Sequence, residues 1–298
     1  MLVFLRLLAL VVAPLFLLAS CGGGEPDEPE MVEATPALWE IADEDTTIYV
    51  FGTYHLLPDN VAWFAGPVRE AFEASDQLVI DHLAPQDANR QLEGFAPARD
   101  GQPLSARLSP EYNERFDALI ERYDIDRAAI DGADPWFAAM TLSLLEHRAI
   151  GLDDENDAEF ALIRAAGEAG KFVVKREGYR DRLRFLDGLS TAVQTEMLEA
   201  AIERIETLRE DHAALLESWA SGDIDAFAAR AQSEYDDRPE LREAYLTGIN
   251  TAWAGWIAER LDRPGTVFIA IDVVRLGGDG SIIEMLAARD ISARRMPE

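Results

Sequence analysis

Residues 48–60 read IYVFGTYHLLPDN, in which an apolar run with β-branched residues passes into a glycine, a histidine and a proline. The run is typical of a buried strand, and the glycine and proline are typical of the loop that follows one. His55 therefore falls just beyond the predicted carboxyl end of this strand. Ligands of open α/β sheets collect at that end, so the stretch predicts both a strand and a candidate functional residue.

Further strand signals lie on both sides of this stretch. ALWEIAD (residues 37–43) and QLVIDHL (residues 77–83) are short apolar segments, and AGPVREAFEAS (residues 65–75) has the apolar spacing of a helix. The N-terminal part of the domain therefore predicts a hairpin followed by a β-helix-β unit.

The rest of the chain separates into a helical middle and a second unit of this kind. Residues 109–260 carry apolar residues at three-and-four spacing, interrupted by one short strand, KFVVK (residues 171–175). The strand GTVFIAI, the helix SIIEMLAAR and the strand ISARRM then follow in residues 265–296. We predict one α/β domain, whose sheet is built from the N- and C-terminal β-helix-β units and whose middle forms a large helical insertion or cap.

The N-terminus has the features of an export signal. MLVFLRLLALVVAPLFLLASC joins one positive charge to an apolar run. Its end, LASC, resembles a bacterial lipobox and implies lipid attachment at Cys21. We predict a lipoprotein signal peptide at residues 1–20, a flexible acidic tether at residues 21–36 and the folded domain at residues 37–298. Glycine rather than aspartate at position 22 favours a periplasm-facing protein of the outer membrane.

Charge and cysteine content narrow the possible functions. The net charge is −29, from 56 acidic and 27 basic residues. Such a surface repels nucleic acid, so we expect the membrane to be contacted only through the lipid on Cys21. No other cysteine and no Gly-x-Ser-x-Gly elbow is present, which leaves the common cysteine and serine nucleophiles without support.

The two ends of the domain resemble each other internally. When residues 49–59 (YVFGTYHLLPD) are laid on residues 269–279 (IAIDVVRLGGD), each copy has an apolar strand, a sharp exit, a leucine and an aspartate at matching places. His55 then corresponds to Arg275. We predict two related half-sites at adjacent strand ends, with both side chains within contact range in one crevice.

The ordered landmarks LWEI, IYVFGTYHLLP, ADPWFAAM, INTAWAGWI and GTVFIAIDVVRLGG resemble the TraB/GumN family, which includes the Tiki and PrgY proteins. This resemblance implies two Gly-x-x-His motifs, an acidic residue after the first and an Arg-Asn pair before the second. One branch of the family resembles metal-dependent peptidases, with both histidines and a glutamate around the metal. Such a ligand set lowers the pKa of a bound water.

The family pattern is only partly kept in this chain. Gly52 and His55 preserve the first motif, and Asp81 stands at the acidic position. Ile249 precedes Asn250, so the arginine of the pair is missing, while the glutamate position is retained as Glu177.

In the second motif, Asp272 replaces the glycine and Arg275 replaces the histidine. A protonated guanidinium has no acceptor and cannot ligate a metal, so we expect the inherited metal site to be degenerate and to need no cofactor.

Two functions remain open. In the first, the protein is an envelope lipoprotein that binds a peptide or envelope component, with Arg275 as a fixed positive charge for a carboxylate and His55 as a neutral hydrogen-bond partner. In the second, it is a metal-dependent hydrolase with peptidase-like activity, whose site is rebuilt from His55, Asp81 and Asp272 around a divalent ion. His82 is a further candidate ligand, although strand alternation directs it away from Asp81.

Overall fold

The computed structural model describes residues 31–55, 57–81, 85, 87–95, 97–149 and 157–297. The predicted signal peptide, the lipidation site Cys21 and the candidate ligand His82 lie outside the described residues.

A six-stranded mixed sheet forms the centre of the molecule. Its strands, in spatial order, are β6 (Phe172–Lys175), β5 (Gln77–Ile80), β7 (Gly265–Asp272), β3 (Thr46–Thr53), β2 (Leu38–Ala42) and β8 (Arg294–Arg295). The first four are parallel, and β2 is antiparallel to both β3 and β8. A second, small parallel sheet pairs β1 (Val32–Glu33) with β4 (Val61–Ala62). The predicted α/β class is confirmed.

The inner strands are apolar on both faces because elements cover both sides of the sheet. Ile48, Val50 and Phe51 of β3 are fully buried, and so are Phe268 and Ile269 of β7. These side chains belong to the main hydrophobic core.

The strand order interleaves the two ends of the chain. The C-terminal strand β7 lies between β3 and β5, so the two strands of the N-terminal unit are not neighbours. Four parallel strands therefore end side by side at one edge of the sheet. We call this the carboxyl edge; it holds the residues that directly follow β3, β7, β5 and β6.

Helices connect and cover the strands. They are α1 (Gly66–Ala74), α2 (Ala88–Glu93), α3 (Pro110–Arg122), α4 (Arg127–Asp131), α5 (Pro135–Ala149), α6 (Ala158–Glu168), α7 (Tyr179–Gly188), α8 (Thr191–Ala220), α9 (Ile224–Ala231), α10 (Pro239–Arg242), α11 (Gly248–Leu261) and α12 (Ile282–Ala287). In the part of the chain that the structure describes, no helix combines the length and apolarity that a membrane span requires.

The helical middle has hydrophobic clusters of its own. Phe116 of α3, Leu142 of α5 and Leu198 of α8 are fully buried in one of them, separate from the core of the sheet. Helix α8 starts at the N-cap Ser190, whose hydroxyl accepts a hydrogen bond from the backbone of Val193. Thirty residues long, α8 reaches from this cluster to the sheet core.

The last residues of the predicted tether, 21–36, already make backbone contacts with the folded domain. Val32 donates a backbone hydrogen bond to Asn60, and Thr35 donates one to Ala220 at the end of α8. The last residues of the predicted tether are thus part of the domain, because their backbone groups find partners there.

Candidate functional site

The two stretches that resemble each other are neighbouring parallel strands. The register pairs Gly52 with Ile271 and Thr53 with Asp272, one residue away from the sequence alignment. The half-sites therefore do lie at adjacent strand ends, on the carboxyl edge. Their fine alignment is set by the hydrogen-bond ladder, which the sequence does not report.

Position 52 has no room for a side chain, because the second half-site packs against its backbone. A Cβ at this position would lie 2.9 Å from Val273 Cγ2 and 3.2 Å from Leu276 Cδ1. The Gly52 carbonyl accepts a 2.8 Å hydrogen bond from the indole of Trp219, which is buried at the end of α8. Gly52 thus fixes the strand end against both the second half-site and the helical middle.

His55 is held by a residue outside the predicted site. Its Nδ1 lies 2.6 Å from Asp157 Oδ2, and its Nε2 lies 3.8 Å from Asp272 Oδ2. The other oxygen of Asp157 accepts from the backbone of Glu159 and caps helix α6. Because Asp157 is anchored at a helix start, it fixes the imidazole ring in one orientation.

The surrounding carboxylates keep a proton on His55. Partial burial disfavours the charged ring, but the hydrogen bond and charge of Asp157 outweigh that effect, together with the charges of Asp272 and Glu159. They raise the pKa of His55 to about 10. Of the His55 side chain, 48% is exposed, so solvent also screens these charges. These carboxylates favour a protonated, cationic ring at neutral pH rather than the neutral His55 expected from the sequence.

Glu159 is a further carboxyl group beside His55, and its own pKa is raised. Burial raises the pKa of Glu159 to about 8, and the charges of Asp157, Asp81 and Asp272 add to the rise, while His55 opposes it. Asp157, Asp272 and Glu159 thus act on the imidazole of His55, and Asp81 acts on Glu159.

Arg275 is buried rather than presented to the crevice. It is only 8% exposed, and its Nη1 donates to the Tyr245 carbonyl at 2.9 Å and to Asn250 Oδ1 at 3.4 Å. Burial lowers the pKa of this guanidinium, and the charges of Asp272 and Asp81 oppose that shift. Among the described residues, no hydrogen bond joins Arg275 to His55. Asp272 interacts with both side chains: it lies 3.8 Å from His55 Nε2, and its charge acts on the Arg275 guanidinium.

A π turn, Glu243–Thr247, provides the main partner of Arg275. Its wider backbone ring is closed by a hydrogen bond from Gly248 to the Glu243 carbonyl. A Cβ on Gly248 would lie 2.9 Å from that carbonyl oxygen, so this turn requires glycine. The π geometry turns the Tyr245 carbonyl toward Arg275, and such irregular turns often accompany functional sites.

Asn250 supports the buried arginine from the other side. It is fully buried, and its amide donates to the Gly280 carbonyl at 2.8 Å while its oxygen accepts from Arg275. The residue predicted to bind a ligand thus links the second half-site to the loop before α12.

Asp81 and Glu177 complete the carboxyl edge. The backbone of Glu177 donates to the Asp81 carbonyl at 2.8 Å, which brings the ends of β5 and β6 together. Burial raises the pKa of Glu177, Arg182 lowers it and Asp81 raises it further. The retained glutamate position therefore belongs to the same charged edge as His55.

Comparison with known proteins identifies the family. A model of the TraB/PrgY/gumN family matches residues 37–295. The chain belongs to the TraB/PrgY/gumN family.

Relatives of this TraB/PrgY/gumN protein are distant. It is 22% identical over 247 residues to the uncharacterized protein YbaP of Escherichia coli (strain K12), covering 80% of this chain and 87% of YbaP. The match to YbaP of Shigella flexneri has the same identity and coverage. No solved structure matches the chain.

The residues that the sequence argument missed are Asp157 and Glu159. They lie in the acidic run DDENDAE, which has no calcium-loop spacing. The available signal was an aspartate directly before an amphipathic helix, which marks an N-cap. Nothing local links that helix start to His55, because the two residues are 102 positions apart.

The donor set is a poor fit to the metal site that the family resemblance implies. Among the described residues, no group of three histidine, cysteine or acidic side chains is arranged to hold a metal ion. His55 and Asp272 approach each other, but Arg275 occupies the position of the second histidine and presents only donors.

Proposed function

We propose that this TraB/PrgY/gumN protein is an envelope lipoprotein that binds a peptide or envelope component at the carboxyl edge without catalysing a reaction. In this proposal, the lipid on Cys21 anchors the protein in the outer membrane, where it faces the periplasm. The observation that carries this proposal is Arg275. A buried guanidinium, hydrogen-bonded to Tyr245 and Asn250, stands at the second motif, where a metal site would need an acceptor.

The charges at the edge favour a ligand with both donors and acceptors. The Nε2–H of a protonated His55 can donate to a carbonyl or carboxylate, and Asp272, whose side chain is 38% exposed, can accept from an amide or ammonium group. A peptide backbone offers both kinds of group. The buried guanidinium of Arg275 does not contact the ligand in this arrangement; its charge offsets the negative charge of Asp272 and Asp81.

The test uses the unlipidated chain, residues 22–298, which retains the compact unit Met31–Glu298. We expect metal analysis after dialysis against zinc, manganese or cobalt to find well below one ion per chain. We also expect a pool of fluorescein-labelled hexapeptides to bind, with His55→Ala weakening binding about tenfold, the usual effect of losing a charged hydrogen bond. Arg184→Ala, on the outer face of α7, serves as the control.

Near-equimolar metal that is lost in His55→Ala would contradict the proposal. Peptide binding that is equal in wild type and His55→Ala would contradict it too, because it would place the ligand elsewhere.

One observation favours a metal-dependent hydrolase as a second candidate. Metal-bound histidines usually donate their other ring nitrogen to a carboxylate, and His55 has such a bond to Asp157 with Nε2 turned toward Asp272. Asp81 would be the third ligand. This function requires peptidase activity that a chelator removes and that Asp272→Asn abolishes.

A further inference from the structure

The helical middle encloses a cavity that is distinct from the carboxyl edge. Its volume is about 410 Å³, within the range of sites for small ligands. Its walls come from α5, α7, α8 and the segment from Glu234 to Tyr245. We call it the cap cavity.

The wall of the cap cavity is mainly apolar. Leu183, Leu186, Met197 and Leu241 contribute side chains to it. Met140 of α5 also lines it and is 36% exposed, which places this residue at the mouth. Methionine side chains adapt their shape to flexible apolar ligands.

The charged side chains that line the cap cavity are two arginines and one glutamate, so one arginine is not matched by an acidic residue of the lining. Arg204 pairs with Glu234 at 3.4 Å through Glu234 Oε1. Arg182 forms no salt bridge with another described residue, its charge lowers the pKa of Glu177 nearby, and its guanidinium lies 5.5 Å from the centre of the Tyr245 ring. The lining therefore carries net positive charge in a protein whose net charge is −29.

We propose that the cap cavity binds a fatty acid, with the carboxylate at Arg182 and the acyl chain along Leu183, Leu186 and Met197. An acyl chain suits this wall better than a peptide, because the wall is mainly apolar and a peptide would bury a polar amide group at every residue. This inference does not depend on the function proposed for the carboxyl edge.

The experiment is calorimetric titration of delipidated unlipidated chain with octanoate, decanoate and dodecanoate, each below its micelle concentration. We expect affinity to rise about fourfold per added methylene until the cavity is full, as burial of each CH₂ predicts. Dodecyl maltoside, which has the same chain and a neutral head, should bind at least tenfold more weakly than dodecanoate.

Matched variants locate the site. Arg182→Gln should weaken dodecanoate binding about tenfold to a hundredfold. Arg184→Gln, two residues away on the exposed face of α7, and His55→Ala, on the carboxyl edge, should leave it unchanged. Ser143→Phe should block binding by filling the cavity from α5, where Ser143 is half-buried.

Three results would overturn the proposal. These are affinity that does not depend on chain length, equal binding by Arg182→Gln and wild type, and binding of a peptide with a C-terminal leucine without binding of dodecanoate. The last result would assign the cap cavity to peptide ends. Because Arg182→Gln replaces a partly exposed side chain, it keeps the test valid even if Ser143→Phe fails to fold.

Discussion

The two half-sites lie at the ends of the neighbouring strands β3 and β7, yet their cationic side chains differ in burial and in partners. In the first, His55 is half-exposed and paired with a carboxylate from another helix. In the second, Arg275 is buried and hydrogen-bonded to a backbone carbonyl and an amide. The same backbone position thus presents one cation to solvent and withdraws the other into the protein. The strand fixes the backbone position of each side chain, whereas the elements packed against the strand end determine its burial and its hydrogen-bond partners.

The largest expected effect on stability comes from the buried member of the pair. Arg275→Met leaves the Tyr245 carbonyl and Asn250 Oδ1 without their donor, and two unsatisfied buried acceptors cost on the order of 3 kcal/mol. His55→Ala, at the half-exposed position, should cost less than about 1 kcal/mol. Urea unfolding of both variants measures the difference. Equal losses would mean that the two half-sites are not opposite in burial.

The contact between the half-sites is tested at Gly52. Gly52→Ala drives a methyl group into Val273, and overpacking of this kind typically costs about 1–3 kcal/mol. Gly167→Ala is the control: no atom lies within 4 Å of its added Cβ on α6, so the helix should be unchanged or slightly more stable.

A double variant shows whether Val273 is the cause. Val273→Ala removes the atoms nearest to the new methyl group, so Gly52→Ala/Val273→Ala should lose less stability than the two single variants together. Additive losses would place the strain elsewhere.

The carboxylates of the first half-site predict a pH-dependent effect. Burial raises the pKa of Glu159 to about 8, so the folded state retains a proton that the unfolded state releases near pH 4.5. Stability is therefore lost progressively as the pH rises from about 4.5 through 8. Glu159→Gln should raise the Tm at pH 8 by roughly 2–4 °C, equivalent to about 1 kcal/mol, and leave it unchanged at pH 4.

The exposed glutamate Glu114, on α3, provides the control for this experiment. Glu114→Gln makes the same chemical change on an exposed helix surface, away from the carboxyl edge. If the Tm of Glu159→Gln depends on pH in the same way as that of the wild type, the pKa of Glu159 is not raised in the folded protein.

The smallest expected effect is a change in the pKa of His55, which NMR can measure. Asp157→Asn keeps an oxygen to cap α6 but removes the charge, so the pKa of His55 should fall from about 10 toward 6.5. An NMR titration of the imidazole resonances measures the shift. His212, which bonds to the Tyr54 hydroxyl and whose pKa burial lowers, should titrate as before. An unchanged pKa of His55 would exclude Asp157 as its dominant partner.

Much of the architecture could be read from local patterns. The apolar runs at β3, β5 and β7 predict buried strands, KFVVK predicts a short strand that is the exposed edge strand β6, and the three-and-four spacing in residues 109–260 predicts the helical middle. The alignment of residues 49–59 with 269–279 also anticipates two adjacent strand ends. It errs by one residue, because pairing depends on a hydrogen-bond ladder between strands far apart in sequence.

The sequence by itself determined the kinds of groups at the carboxyl edge: a histidine in one half-site, an arginine in the other, and aspartates after two strands. Only the tertiary structure decided their states. Asp157 reaches His55 across 102 positions and makes it cationic, and a π turn takes Arg275 out of solvent. Protonation and burial depend on charges and backbone atoms brought together by the fold, so no local pattern could report them.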